Sequence, residues 1–200
     1  MSQFLIPQGT ASAVQHIDNN NWAADFPYAP KVDFTIHHDS EKLYLHFDVE
    51  EQYTKAEVDC NNGEVWTDSC VEFFISFDDR GYYNFEMTCI GQMLLAFRKT
   101  KPEPTYASDE VMASVKRVST LGSECFAERV GDNKWSMDVE IPRTAFFAHQ
   151  FETLSGIEAT ANVYKCGDNL SKPHFLSWNK IDTPTPNFHV PEFFAGVKFE

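Results

Sequence analysis

Glu72, Asn84, Glu86 and Arg98 carry the carboxylate, amide and guanidinium groups that bond hydroxyls in planar, paired geometry. They fall on three consecutive segments whose apolar residues alternate. Val71, Phe73, Ile75 and Phe77 are followed by Tyr83, Phe85, Met87 and Cys89, and then by the stretch from Met93 to Arg98. A turn at Asp78, Asp79 and Arg80 pairs Phe73 with Phe85 and Ile75 with Tyr83, which sets Glu72 opposite Glu86. A turn at Ile90, Gly91 and Gln92 pairs Met87 with Leu95 and Phe85 with Phe97, and sets Asn84 opposite Arg98. One outer face then presents Glu72, Glu86, Asn84, Arg98 and Phe74 together. Singly, each charge is an ordinary solvated surface residue. Jointly, two opposed carboxylates require a donor, which Arg98 or the hydroxyls of a ligand can provide.

Two tryptophans lie out of strand phase near this face. Trp66 sits in the polar turn Asn61-Asn62-Gly63-Glu64-Val65-Trp66-Thr67-Asp68-Ser69 that leads to Glu72, and Trp178 in Ser177-Trp178-Asn179. An indole on a loop can pack against the C–H face of a pyranose while neighbouring planar polar groups take its hydroxyls. The alternative for each is half-buried packing. Trp135 is in phase with a buried strand face and reads as core, and Trp22 reads as a strap over one edge.

The elements that must hold these residues are strands. Period-two alternation recurs at Leu43 to Val49, Val71 to Phe77, Tyr83 to Cys89 and Trp135 to Ile141. Weaker strand candidates are Val32 to Ile36, Met93 to Arg98, Cys125 to Val130, Ala159 to Tyr164 and Val197 to Phe199. Helix is expected only from Asp109 to Leu121 and as a single turn at Thr144 to Phe147. The fold class read from this pattern is all-β: an antiparallel β-sandwich of immunoglobulin-like or jelly-roll type with minor helix, in one domain over residues 1–200. The Pro-rich stretch from Pro173 to Pro191 is expected to be an ordered loop, anchored by Phe175, Trp178, Phe188 and Phe193.

Composition narrows the partners. The chain of 200 residues is 42% hydrophobic, with 18 Phe, which suits one aromatic-rich core. A net charge of −14 with no basic run argues against nucleic acid. No stretch approaches bilayer-spanning length, so no membrane partner is expected. The opening MSQFLIPQGTASAVQH has no basic segment followed by an apolar run. The expectation is a secreted or periplasmic protein if a leader was removed, and a cytoplasmic one otherwise. Five cysteines, odd in number and without a C-x-x-C pair, read as free buried thiols.

Two other chemistries compete with sugar binding. A glycosidase needs two carboxylates about 5 to 9.5 Å apart on either side of a bond. Asp68 and Glu72 on one strand would be roughly 13 Å apart, and Glu72 and Glu86, though close, share one flat face. A haem or redox domain would draw on Met87, Met93, His37, His38 or His174, each of which has an ordinary packing or capping role open to it.

Several segments resemble carbohydrate-binding module family 9 and its free-standing bacterial relatives. They are Val65-Trp66-Thr67-Asp68-Ser69-Cys70-Val71-Glu72-Phe73-Phe74, Tyr82-Tyr83-Asn84-Phe85-Glu86, Ala161-Asn162-Val163-Tyr164-Lys165-Cys166-Gly167-Asp168, Pro173-His174-Phe175-Leu176-Ser177-Trp178-Asn179, and Pro186-Asn187-Phe188-His189-Val190-Pro191-Glu192-Phe193-Phe194. The resemblance covers nearly the whole chain. It implies a non-catalytic β-sandwich in which Trp66 and Trp178 clamp the terminal sugar of an oligosaccharide or polysaccharide. Glu72 matches the family's acidic position, and Arg98 and Asn179 are further hydroxyl-bonding candidates. Family modules also hold structural calcium, although no segment here matches such a site, and no other cofactor is expected.

Overall fold

The computed structural model describes residues 3–200. Thirteen strands follow in chain order: β1 Phe4–Ile6, β2 Gln15–His16, β3 Lys31–His38, β4 Lys42–Ala56, β5 Cys70–Asp78, β6 Gly81–Thr88, β7 Met93–Arg98, β8 Pro104–Tyr106, β9 Lys116–Ser119, β10 Phe126–Pro142, β11 Glu158–Cys166, β12 Phe175–Ser177 and β13 Ala195–Phe199. They form two sheets, ordered β1-β13-β11-β5-β6-β7-β8, with β12 also pairing β11, and β2-β3-β4-β10-β9. This is the expected β-sandwich. Its strands are antiparallel except for β1, which runs parallel to β13. Among the described residues no helix is long and apolar enough to cross a membrane.

Alternation sorts each strand. Val71, Phe73 and Ile75 of β5, Tyr83, Phe85 and Met87 of β6, and Leu43, Leu45, Phe47 and Val49 of β4 all enter the core between the sheets. The expected Asp109-to-Leu121 helix is shorter. It becomes α1, Asp109–Ser114, capped by Ser108, whose Oγ accepts from the Val111 amide. Lys116–Ser119 instead pairs with Glu140–Met137 of β10, because Val115 and Val118 suit a strand and an open sheet edge was available. The single turn expected at Thr144 to Phe147 is a 3₁₀ turn at Arg143–Ala145.

The first hairpin has the expected register, with Phe73 opposite Phe85 and Glu72 opposite Glu86. The second is shifted by two residues. Met87 pairs with Met93 and Phe85 with Leu95, so Asn84 faces Ala96 and Arg98 faces Tyr82. The tighter turn closes through Gly91 N–H donating to the Thr88 carbonyl at 2.8 Å, with Gly91 at φ +85°. A shift of two preserves the faces, so Arg98 still shares a face with Asn84 and Glu86.

That outer face is not solvated. Trp22 and the segment from Ile181 to Phe194 fold over it and form a second apolar cluster with Phe74, Tyr82, Leu94 and Tyr164. Tyr164 stacks on Phe188 at 4.2 Å between centroids, and Phe74 packs on Tyr82, Tyr164 and Phe194. Trp22 is buried and donates its indole N–H to the Thr183 carbonyl at 2.8 Å. The anchored loop is thus a lid of fixed structure over most of the face, and the part it leaves open is the cleft described next.

Inside the sandwich one ion pair joins the sheets. Lys165 of β11 lies 2.9 Å from the Glu51 carboxylate of β4, and both side chains are fully buried. Trp135 Nε1–H donates to Glu51 Oε1 at 2.7 Å, and Lys165 Nζ also donates to the Cys166 carbonyl and to His174 Nε2.

Candidate functional site

A cleft of about 560 Å³ opens where β5, β6 and β7 meet the loops after β7, β11 and β12. Glu72, Glu86 and Arg98 rise from its floor, and Trp66 stands on the 3₁₀ turn Val65–Thr67 at its rim. Lys101, Asp168, Phe175, Phe188 and His189 complete the wall.

The W-x-D-S segment works by positioning. Asp68 is fully buried. Its Oδ2 accepts from the amides of Glu57 and Val58, each at 2.8 Å, and its Oδ1 lies 3.3 Å from Lys55 Nζ. Ser69 N–H donates to the Lys55 carbonyl, and Ser69 Oγ accepts from the Lys55 amide. These bonds fasten the turn carrying Trp66 to the end of β4.

The floor is electrostatically strained. Glu72 and Glu86 are 2% and 3% exposed. Burial, reinforced by the charge of Glu86, holds Glu72 well above the usual carboxylate range. Burial raises Glu86 to about 7, against the Asn84 amide and Arg98, which pull it down. Burial likewise raises Asp168 to about 6, with Lys101 opposing. Arg98 neutralises neither glutamate by contact. Its Nε–H donates to Asn84 Oδ1 at 3.0 Å and its Nη1–H to the Lys101 carbonyl. His189 Nε2 is 4.0 Å from Glu86, yet burial and the two nearby cations push His189 down to about 3, so the imidazole is neutral. Hydroxyls entering the cleft would therefore meet carboxyl oxygens with free lone pairs, and an acid O–H donor wherever a carboxyl keeps its proton.

Of the seven expected site residues, the fold brings Trp66, Glu72, Glu86 and Arg98 into the cleft wall. Asn84 lies beneath it, fully buried, donating to Glu86 Oε1 at 2.8 Å while it holds Arg98. Asn179 is an anchor for the covering loop: its Nδ2 donates to the Phe193 carbonyl at 2.7 Å and its amide to Asn162 Oδ1. Trp178 lies apart from the cleft wall. It packs edge-on against Phe4 and Phe34, at 5.3 and 5.8 Å, beside the core between the sheets. The short strand β12 reverses side-chain direction at each residue, so Phe175, three positions earlier, is the aromatic that reaches the cleft. Asp168 and His189 escaped sequence reasoning because they sit on loops whose course no periodicity reports, and Phe175 because its strand is only three residues long.

The thiols divide differently from the expectation. Cys70, Cys89 and Cys166 are buried, whereas Cys60 and Cys125 are exposed. The metal-competent side chains that cluster among the described residues do not suit calcium. Calcium takes six to eight oxygens, and among the described residues the one group of three metal-competent side chains is Cys70, Glu72 and Cys166, two of whose ligands are sulfur. Three of the haem candidates have other partners. Met87 and Met93 fill the core, and His174 accepts from Lys165.

Comparison with known proteins gives the family. A crystal structure from Bacteroides uniformis ATCC 8492, of a protein provisionally assigned as carbohydrate-binding, is 38% identical, with a TM-score of 0.92 over 100% of this chain and 98% of that one. Two structures of a family 9 carbohydrate-binding module from Caldicellulosiruptor kristjanssonii share the fold. The module in complex with glucose has a TM-score of 0.60 at 12% identity, over 100% of this chain and 96% of that one. The same organism's module with cellotriose has a TM-score of 0.59 at 11% identity, over 100% and 94%. No curated protein matches the chain. The model of the family described as Carbohydrate-binding family 9 matches residues 4–199, and the chain belongs to that family.

Proposed function

We propose that the chain binds a carbohydrate in this cleft without transforming it. The sugar packs a C–H face on Trp66, with Phe175 and Phe188 completing the apolar wall, and gives its hydroxyls to Glu72, Glu86 and Asp168 while accepting from Arg98 and Lys101. The observation that carries this is the meeting of an indole with two opposed, buried carboxyl groups in a cleft of about 560 Å³. That volume has room for a mono- or disaccharide unit, so the partner is a short oligosaccharide or the end of a longer chain. The two glutamates are adjacent on one floor rather than on either side of a bond, an arrangement suited to holding hydroxyls and not to hydrolysis.

Titration of the full chain with glucose, cello-oligosaccharides and a wider glycan panel, followed by tryptophan fluorescence, tests this. Saturable quenching in the wild type that is lost in Trp66→Ala is expected. Equal binding by Trp66→Ala, no response across the panel, or release of reducing sugar from any bound oligosaccharide would overturn it.

A further inference from the structure

We propose that Cys70, Glu72 and Cys166 form a binding site for one thiophilic divalent cation of the zinc class. Cys70 and Cys166 are directly opposed across β5 and β11, and Glu72 follows two residues after Cys70 on the same face. The two sulfurs and a Glu72 carboxylate oxygen lie within 4.8 Å of one another, and all three residues are buried. Tetrahedral zinc, with ligands at about 2.0 to 2.3 Å, needs donor atoms roughly 3.3 to 4 Å apart. The 4.8 Å that bounds their separations is within about 1 Å of that spacing. Two thiolates and one carboxylate suit zinc and its chemical relatives and exclude magnesium or calcium.

The charge balance points the same way. Glu72 is 2% exposed, and its one protein hydrogen bond among the described residues comes from the Cys166 thiol, at 3.0 Å. The residue opposite is Glu86, and no Lys or Arg nitrogen lies within ion-pairing distance of Glu72 among the described residues. Two buried carboxyl groups and a thiol meet here with no Lys or Arg in contact among the described residues, so an entering divalent cation would find oxygen and sulfur lone pairs that no other cation has claimed. Cys166, Glu72 and Asp168 line the cleft, which gives an ion a path in. On binding, the two thiols lose their protons to solvent as two metal–sulfur bonds form, and no electron is transferred. The site shares Glu72 and Cys166 with the cleft wall, so its test is run without carbohydrate, and either reading can fail while the other stands.

Cobalt(II), as a coloured stand-in, followed by zinc, is titrated into the full-length reduced protein kept in a phosphine reductant, with no carbohydrate present. One equivalent of cobalt giving an intense sulfur-to-metal absorption band in the near ultraviolet, bleached by one equivalent of zinc, is the expected result. Cys70→Ser and Cys166→Ser should each weaken binding at least tenfold, whereas the double change Cys60→Ser/Cys125→Ser, at the exposed thiols, should leave the band in place. No thiolate band in the wild type, a band that survives in Cys70→Ser/Cys166→Ser, or one lost with Cys60 and Cys125 would overturn the site. The wild-type spectrum decides even if a serine variant misfolds.

Discussion

Glu72 and Glu86 oppose each other on neighbouring strands at the floor of the cleft, both nearly inaccessible to solvent. In the unfolded chain both ionise near pH 4.3. In the fold, burial and the charge of its neighbour raise Glu72 well above that, and burial raises Glu86 to about 7. Between about pH 4.5 and 7 the folded chain therefore holds more protons than the unfolded one, and this pair lowers stability as pH rises through that window. The histidines His38, His149, His174 and His189, all held down by burial, act in the opposite direction below about pH 6.5. The difference between variants isolates the glutamate. In the presence of a chelator, Glu86→Gln should gain stability over wild type on going from pH 5 to pH 8, on the order of 2 kcal/mol. Urea denaturation at the two pH values measures it, and a difference independent of pH would refute the strained floor.

The two tryptophans expected to act together should separate cleanly. Trp66→Ala removes an aromatic surface from the cleft and should cut sugar affinity tenfold or more, about 1.4 kcal/mol, while leaving the core between the sheets intact. Trp178→Ala removes packing against Phe4 and Phe34 and should cost about 3 kcal/mol of stability. Its folded fraction should still bind. Calorimetry with sugar and denaturation with urea, run on both variants, test the pairing.

Much of this site was legible because alternation is a strong signal. The phase of Val71, Phe73 and Ile75 fixed the side of the sheet on which Glu72, Glu86 and Arg98 project, and a two-residue error in the second hairpin did no damage because strand faces repeat every two residues. Trp178 packs on Phe4 and Phe34 away from the cleft wall, and the three-residue strand before it carries too few alternations to show which side it takes. Nor does spacing along the chain bring Asp168 and His189 beside Glu86, since their loops are placed by tertiary contacts such as Phe188 on Tyr164. The Cys70–Cys166 pair escaped for a related reason: its members meet only through the pairing of β5 with β11.

Asp68 should matter for both stability and binding although it touches no ligand. Asp68→Ala leaves the amides of Glu57 and Val58 and the Lys55 ammonium without their acceptor, at a cost of about 3 kcal/mol. The turn bearing Trp66 loses its tether, so sugar affinity should fall as well. Asp68→Asn, which keeps one carbonyl oxygen for the amides, should recover part of both. Equal loss in the two variants would mean that the charge facing Lys55, not the amide bonds, holds the turn.

The Lys165–Glu51 pair offers a sharper test of what holds the sheets together. Each side chain is fully buried, and their nitrogen and oxygen lie 2.9 Å apart. Lys165→Met leaves the Glu51 charge with only the Trp135 indole N–H and should cost about 3 to 5 kcal/mol. Glu51→Leu leaves the ammonium with the Cys166 carbonyl and His174, whose imidazole stays neutral because burial, seconded by the Lys165 charge, holds it well below the usual histidine range. That variant should cost a similar amount. The double variant Glu51→Leu/Lys165→Met removes both charges and replaces them with apolar bulk between two apolar sheets, so it should be more stable than either single variant. A double-mutant cycle from urea denaturation gives the coupling directly. If the double variant is as unstable as the sum of the singles, the two groups act separately, and the cross-sheet ion pair is not what sets the spacing between β4 and β11.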